Sequence, residues 1–361
     1  KDVLKINYKN CFFSFNGEYV VESTHPSNHC FYYEETKYGE TDCDDIVIWK
    51  KTHLPKNKIG RCCHTTIFFD NYVFLLGGYN GTQSIDTVER YDFVTKKWDD
   101  MKPMLTRRTS LDSVLLIDNI YKKDSYIFVV GGIQNGIPIT NIDVYNIRLN
   151  KWEKHGSLLF GRSGSKCFLV EKNNENKIVI IGGVGNDIFV NNCMKIEIYN
   201  VNKRESYFVK NTTYSYTSFA TCMMIKKNKH YIYLCGGIHN KNINDEKKKP
   251  TNLFFLYVVE DNKLVELPKM NMNRMYHSMC ISNENGIQKI YVFGGFDGDK
   301  IITKGEYFDG TKWEIIDFLN HPYCACSVFK VDVTTKIKGT FKEEENSKKI
   351  SEGPVEIITN T

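Results

Sequence analysis

Runs of apolar residues that end in a pair of glycines recur five times along the chain. They read FLLGG, FVVGG, VIIGG, YLCGG and VFGG, and their second glycines are Gly78, Gly132, Gly183, Gly237 and Gly295. The apolar residues are mostly β-branched or aromatic, which is the pattern of a buried strand. The second glycines are 54, 51, 54 and 58 residues apart, and a period of about fifty indicates the blades of a propeller. Glycine suits a point where a buried strand turns sharply beside a neighbouring backbone.

The polar positions divide the clearest repeat, residues 61–104, into four short strands. These are CCHTTIFF, YVFLLGG, IDTVERYD and KKWDD, separated by turns rich in Gly and Asn. Tyr91 and Trp98 follow Gly78 by 13 and 20 residues, and the next repeat keeps both spacings with Tyr145 and Trp152. In the later repeats the tyrosines are Tyr199, Tyr257 and Tyr307, and the tryptophan position is filled by Tyr207, Leu264 and Trp313.

These repeated residues resemble the kelch repeat. The resemblance rests on the glycine pair, the Tyr and Trp that follow it, and the loop motif Met-x-x-x-Arg; PMLTRR (103–108) and GGFDG (294–298) are close to typical kelch segments. The match is good over residues 60–152 and 270–313 and covers most of residues 46–330. The resemblance implies an all-β fold, a β-propeller of four-stranded antiparallel blades around a central channel.

The two ends of the chain predict a sixth blade. DIVIWKKTHLP resembles an outer strand, KNCFFSFNGEY and HCFYYEET resemble two middle strands, and CACSVFKVDV resembles an inner strand. Pairing of residues 324–330 with residues 8–16 would close the ring and remove exposed sheet edges. We therefore expect one propeller over residues 1–333, with a flexible charged tail over 334–361 in which VEIIT could add a strand. The blades are expected at about 1–55 plus 323–333, 61–104, 107–158, 162–211, 217–269 and 274–318.

Composition narrows the class of function. The net charge is +5, from 48 basic and 43 acidic residues, and the lysines are scattered, which disfavours a nucleic-acid partner. No apolar run approaches about 20 residues, so no membrane span is expected. The start, KDVLKINYKN, has neither an initiator Met nor a signal-peptide pattern and is typical of a fragment edge. The twelve cysteines lack the spacing of a disulfide framework or a zinc site, so we expect cytoplasmic location, buried thiols, and no metal or cofactor.

Two sets of loop residues are the candidate binding site. The loops before the inner strands carry arginines, namely Arg61, Arg107, Arg108, Arg162 and Arg274. His64 and His277 follow three residues after Arg61 and Arg274. The turns after the glycine pairs begin with, among others, Tyr79, Asn80, Phe296 and Asp297. By symmetry both sets of loops emerge on one face at the channel mouth. Arginine binds carboxylates in a forked geometry, so the predicted partner is an acidic peptide or loop of another protein.

Each candidate has a structural alternative. Arg61, Arg107, Arg162 and Arg274 could bond carbonyl groups of a neighbouring blade and serve only the scaffold. Arg108 is an additional arginine in its loop, which favours a binding role. Both histidines are typical of satisfied interior polar groups.

The predicted function is therefore non-catalytic protein binding. By resemblance, kelch propellers serve as substrate receptors of cullin-type ubiquitin ligases or as cytoskeletal or signalling scaffolds; the ligase role needs a dimerisation domain. One alternative is a kelch-type enzyme such as an acidic-sugar mutarotase, for which Asp187, Asp297 and Asp299 are the nearest candidate acid and base groups. A second alternative is a module that binds through its sides. The oligomeric state does not follow from the sequence.

Overall fold

The structure is a computed structural model that describes residues 3–17, 26–38, 46–117, 124–185, 195–211, 215–240, 249–284, 287–316, 327–338 and 356–358. Strands dominate these residues. No helix among them is long and apolar enough to cross a membrane.

Five four-stranded antiparallel sheets form the body of the fold, and we name them blades A to E in chain order. Blade A contains β4 (Thr65–Phe69), β5 (Tyr72–Leu76), β6 (Val88–Asp92) and β7 (Lys97–Met101). Blade B contains β8 (Asp112–Ile117), β9 (Ser125–Val130), β12 (Asn141–Asn146) and β13 (Lys151–Ser157). Blade C contains β14 (Lys166–Lys172), β15 (Glu175–Ile181), β16 (Lys195–Asn200) and β17 (Glu205–Asn211).

The last two blades follow the same order. Blade D contains β19 (Ala220–Lys226), β20 (Lys229–Cys235), β22 (Phe254–Val258) and β23 (Lys263–Leu267). Blade E contains β24 (Ser278–Glu284), β25 (Ile287–Phe293), β26 (Gly305–Phe308) and β27 (Trp313–Ile316). Short paired strands β10 (Ile133–Gln134) with β11 (Ile137–Pro138), and β18 (Ser215–Thr217) with β21 (Ile238–Asn240), lie in the loops.

The five blades agree with the sequence prediction. Each glycine pair follows the second strand of its blade, and the predicted strands of residues 61–104 are β4 to β7. The first strands of successive blades lie beside one another, as β4 with β8 and β8 with β14. The first strand of each blade is therefore the innermost one.

The strands from the two chain ends form a different kind of sheet. It contains β1 (Val3–Gly17), β2 (Ser27–Tyr38), β3 (Ile46–Leu54), β28 (Ser327–Lys338) and β29 (Glu356–Ile358), in the order β29-β28-β1-β2-β3. Residues 11–15 pair with residues 327–331.

The prediction of six four-stranded blades is corrected to five, because this terminal sheet has five strands and two of them are much longer. β28 extends past residue 333, and β29 pairs with it at 334–336. The sheet therefore continues into the segment expected to be a tail.

The hydrophobic core lies between neighbouring sheets. Ile67 and Phe74 of blade A share one cluster with Ile127 and Tyr145 of blade B, and similar clusters join B to C, C to D and D to E. Cys30 of the terminal sheet shares a cluster with residues of blade A. Because a blade packed between two neighbours buries both faces, its second strand ends in a continuous apolar run.

The repeated aromatic residues fix the spacing between blades. The indole N–H groups of Trp98, Trp152 and Trp313 donate hydrogen bonds to the carbonyl oxygens of Pro55, Lys102 and Pro268, respectively. Each of these carbonyl groups lies just after the last strand of the preceding sheet. Leu264 occupies the tryptophan position of blade D and leaves an apolar crevice, lined also by Ile181, Tyr216, Leu234 and Tyr257. A leucine side chain fills less of the space between the blades than the indole of a tryptophan would.

Candidate functional site

Four of the predicted arginines are buried, and they occupy one repeated position. Arg61, Arg108, Arg162 and Arg274 each lie four residues before the first residue of an innermost strand, and each is at most 1% exposed. Their partners are carboxylates on the third strand of the same blade, in the pairs Arg61–Glu89, Arg108–Asp143, Arg162–Glu197 and Arg274–Glu306. These guanidinium groups are not available to a partner protein.

Each buried arginine also binds the glycine turn of its own blade. Nη1 of Arg274 donates to the carbonyl oxygens of Gly294 at 2.7 Å and Lys304 at 2.9 Å. Nη1 of Arg61 makes the equivalent bond to Gly77 at 3.0 Å. The contacts of Arg61, Arg162 and Arg274 are those of scaffold residues, but each side chain bonds its own blade and not the neighbouring one. Arg107, for which the same role was expected, does not share these contacts.

The backbone of the same arginine connects to the preceding blade. The carbonyl oxygen of Arg108 accepts a hydrogen bond from the N–H of Gly78 at 3.0 Å, and that of Arg162 accepts one from Gly132 at 2.8 Å. Each arginine thus joins the loop of one blade to the glycine turn of another.

The preference for Arg108 as the binding arginine was wrong. Arg108 is the buried member of its pair, whereas Arg107 is exposed and contacts Gln83 at 3.1 Å and Asp86 at 3.7 Å. The reason is the spacing to β8, because only Arg108 lies four residues before its first residue. Arg107 is therefore the surface cation of this loop.

Blade D replaces the ion pair with two aromatic rings. Tyr216 lies four residues before β19, where the other blades have arginine, and Phe255 lies at the position of the carboxylate. Their ring centroids are 5.5 Å apart in an edge-to-face arrangement. Both charges have been exchanged together, which avoids an unpaired buried charge.

Burial shifts the pKa of these pairs. Desolvation lowers the pKa of Arg61, Arg108 and Arg274, and the facing carboxylate opposes this shift in each case. Desolvation raises the pKa of Glu197, which Arg162 opposes. A guanidinium group has so high an ordinary pKa that it keeps its proton here.

The two predicted sets of loops do lie together. Cys62 pairs with Tyr79, Thr109 with Ile133, Ser163 with Val184, and Met275 with Phe296, in each case joining the loop before the inner strand to the turn after the glycine pair. In blade D, β18 and β21 make the same connection. We call the face formed by these loops the loop face.

A repeated left-handed residue marks the centre of the loop face. Two residues after each arginine position the backbone has positive φ, at Cys63 (52°), Ser110 (53°), Gly164 (65°), Ser218 (57°) and Tyr276 (54°). The N–H of Ser110 donates to Cys63 O at 2.8 Å, that of Gly164 to Ser110 O at 2.7 Å, and that of Tyr276 to Ser218 O at 3.0 Å. These residues thus bond from blade to blade just before the innermost strands, at the A–B, B–C and D–E interfaces. We call them the entrance ring.

Tyr276 departs from the other members of the entrance ring. It is 43% exposed, and the other four residues are small. A bulky side chain at positive φ is an outlier that costs about 1–2 kcal/mol. Sequence reasoning missed Tyr276, although a comparison of the residues two positions after each arginine reveals it.

The remaining predicted residues divide between surface and scaffold. Tyr79 is 37% exposed, and Phe296 is half-buried beside Met275. Oδ1 of Asn80 accepts backbone bonds from Thr82 and Gln83, and Oδ1 of Asp297 accepts them from Asp299 and Lys300, which shapes the turns. These backbone donors lower the pKa of Asp297.

The two histidines lie beneath the loop face. His64 is half-buried, and His277 is buried with its Nε2 atom 3.2 Å from Sγ of Cys235. Burial lowers the pKa of His277 to about 3. Asp187 lies outside the described residues.

The loop face also carries exposed apolar side chains. Besides Tyr79 and Tyr276, these are Leu105, Ile137, Leu159 and Val184. Exposed apolar groups beside scattered cations are typical of a protein interface. The fold is that of a repeat propeller with exposed apolar side chains on its loop face.

Comparison with known proteins places the chain in a family. The family model described as "Attractin/LZTR1 beta-propeller" matches residues 82–300, more than half of the chain, so the chain belongs to this family of kelch-repeat β-propellers. Among its relatives, human Kelch-like protein 23 is 25% identical over 257 residues, which are 68% of this chain and 39% of that protein. Kelch repeat protein C2 of vaccinia virus is 22% identical over 334 residues, 91% of this chain and 53% of that protein.

The chain therefore spans only part of these relatives' length. A solved structure titled "Structure of YjhT" has a TM-score of 0.56 at 12% identity, and the match covers 86% of this chain and 97% of that one. At this identity the likeness concerns the fold.

Proposed function

We propose that the loop face binds a protein partner and that the chain is a non-catalytic interaction module. The observation that carries the proposal is Tyr276, a large exposed side chain held at positive φ in the entrance ring. Strained residues persist where function requires them. Tyrosine also gives much contact area for little lost freedom, and is frequent in interface hot spots.

Charge supports an acidic partner. The exposed cations in the described loops of this face include Lys56, Lys102, Arg107, Lys269 and Lys300. The acidic residues there are fewer, and Asp297 already accepts backbone hydrogen bonds. The partner segment is thus expected to carry carboxylates around an apolar or aromatic residue that contacts Tyr276.

The experiment selects acidic peptides from a displayed library on the wild-type chain and compares dissociation constants among variants. Tyr276→Ser introduces the residue found at Ser110 and Ser218, so the fold should tolerate it. We expect Y276S and R107E each to weaken binding at least about tenfold, or about 1.4 kcal/mol. Tyr207→Ser and Arg148→Glu are matched controls, because these exposed residues lie away from the loop face. Equal binding by Y276S, R107E and wild type would contradict the proposal.

The enzyme alternative has weaker support. A mutarotase-type site needs acid and base groups free to exchange protons. Asp297 is committed to its turn and its pKa is lowered. We therefore favour binding, and a role as substrate receptor of a cullin-type ligase or as a scaffold follows as a proposal about the whole protein.

We also propose that the terminal sheet takes the place of a sixth blade and closes the ring. The support is packing on both sides, since Cys30 and Leu54 lie against Val73 and Tyr91 of blade A, and β28 lies beside β24 of blade E. Closure by strands from both chain ends removes exposed edges.

A further inference from the structure

Two sulfur atoms and one imidazole nitrogen meet in the core between blades D and E. Sγ of Cys235 lies 3.2 Å from Nε2 of His277 and 3.6 Å from Sδ of Met279. All three residues are buried, at 1%, 7% and 6% exposure. The function proposed above uses none of these atoms.

The equivalent positions at the other interfaces between blades A to E hold different residues. The residue before the glycine pair and the two inner-strand residues that face it are Leu76, Leu111 and Ser113 between blades A and B. They are Val130, Ser165 and Cys167 between B and C, and Ile181, Phe219 and Thr221 between C and D. Only the D–E interface, among these four, combines thiol, imidazole and thioether. The other three interfaces pack without this combination of side chains.

The imidazole is held in place. A Cβ atom added to Gly236 would lie 2.5 Å from Cε1 of His277, and one added to Gly295 would lie 2.8 Å from its Cβ. The glycine turns of both blades thus enclose the ring. Its Nδ1 atom has no hydrogen-bond partner among the described residues.

We propose that Cys235, His277 and Met279 form a binding site for copper(I). Thiolate, thioether and imidazole are ligands that favour this ion over harder metals. Loss of the thiol proton to solvent gives one negative charge, which the monovalent ion neutralises. A neutral complex suits this apolar core, whereas a divalent ion would leave a buried net charge.

The distances are compatible with a bound ion. With metal–sulfur and metal–nitrogen bonds of about 2.3 and 2.0 Å, trigonal coordination places sulfur about 3.7 Å from nitrogen and about 4.0 Å from the second sulfur. The sulfur of Cys235 therefore needs to move only about half an ångström away from each of these two neighbours.

The test is an anaerobic titration of the full chain with copper(I) against a chromophoric copper(I) chelator. The wild type should keep one equivalent of copper(I) from the chelator. Cys235→Val and His277→Leu should each lower the affinity for copper(I) at least about 100-fold and so lose that equivalent to the chelator. Val130 and Leu111 occupy the equivalent positions, so both variants should fold. Met279→Leu, which conserves volume, should weaken binding about tenfold. Cys167→Ala, at another interface, is the control and should bind as wild type.

X-ray absorption of the loaded wild type should show one nitrogen and two sulfur ligands. A wild type that withholds no equivalent, or a C235V or H277L variant that withholds copper(I) as tightly as wild type, would overturn the proposal. Should C235V or H277L fail to fold, M279L decides, since unchanged affinity in that variant excludes the thioether and with it the site.

Discussion

At the residue scale, the most informative feature is a buried pair of opposite charges that blades A, B, C and E share. Arg162 and Glu197 illustrate it, with an ion-pair distance of 3.0 Å and exposure of at most 1%. Breaking such a pair is more harmful than replacing both members. Blade D shows the replacement that the fold accepts, since Tyr216 and Phe255 fill the two positions.

A double-mutant cycle tests this reading. We expect Arg162→Tyr alone and Glu197→Phe alone each to lower the free energy of unfolding by about 3–5 kcal/mol, because each leaves an unpaired buried charge. The double variant should recover at least half of the summed loss. Urea denaturation measures all three, and simply additive losses would contradict the coupling.

A second residue-scale prediction concerns pH. The imidazole of His277 ordinarily titrates near 6.5, and burial lowers its pKa to about 3 in the folded chain. Between these values the unfolded state binds more protons, so the metal-free wild type should lose stability as pH falls from 6.5. The slope is up to about 1.4 kcal/mol per pH unit.

His277→Leu removes this titrating group, so the folded and unfolded states no longer differ by its proton. Its loss of stability between pH 6.5 and 4 should therefore be smaller than that of the wild type, as measured by urea denaturation at each pH. Parallel curves for the two proteins would show that His277 does not titrate as described.

The sequence identified the repeated arginines but not which of them are buried. Arg107 and Arg108 are adjacent, and the number of residues to β8 decides which is buried. Tyr276 was missed because its significance depends on backbone φ, which the pattern of apolar and polar residues does not reveal.

At the element scale, the glycine pairs determine how blades meet. Gly77 and Gly78 have φ of 60° and 102°, and a Cβ on either would lie 2.7 Å from a backbone oxygen, that of Arg108 or of Cys62. The second strand of each of the five blades could be placed from the sequence, because a glycine pair follows it directly. The sequence also showed that blades C and D depart from the repeat, since in blade D, for example, Leu264 stands where the clearest repeats have tryptophan.

Alanine substitution separates crowding from backbone strain. Gly136 also has positive φ, at 79°, but no atom lies within 4 Å of an added Cβ. Gly136→Ala should therefore cost only about 1 kcal/mol from strain. Gly78→Ala should cost at least about 2 kcal/mol more, measured by thermal unfolding. Equal losses would show that close approach is not what requires the glycine.

At the scale of the whole molecule, the two chain ends meet in one sheet. The pairing of residues 11–15 with 327–331 could be anticipated because an unmatched inner-strand pattern lay at one end and an incomplete blade at the other. The continuation of β28 past residue 333 could not, because residues 334–338 are mostly polar and carry no period-two pattern. The added strand β29 lies within VEIIT, the segment that the sequence marked as able to add a strand.

Truncation tests the role of this sheet. Removal of residues 324–361 deletes β28 and exposes the edge of β1, so we expect a loss of several kcal/mol in stability and a tendency to aggregate. Removal of residues 339–361 retains β28 and should have a much smaller effect. Similar thermal unfolding of both truncated chains would contradict ring closure by β28.

The most direct test of the central claim is a hydrogen-exchange footprint of a selected acidic peptide bound to the wild-type chain. Binding at the loop face predicts slower exchange in residues 102–110, 157–165 and 268–277, and no change in the turns of the opposite face at 92–97 and 146–151. Protection confined to those opposite turns, or to the outer strands β7 and β13, would contradict the assignment of the loop face as the partner surface.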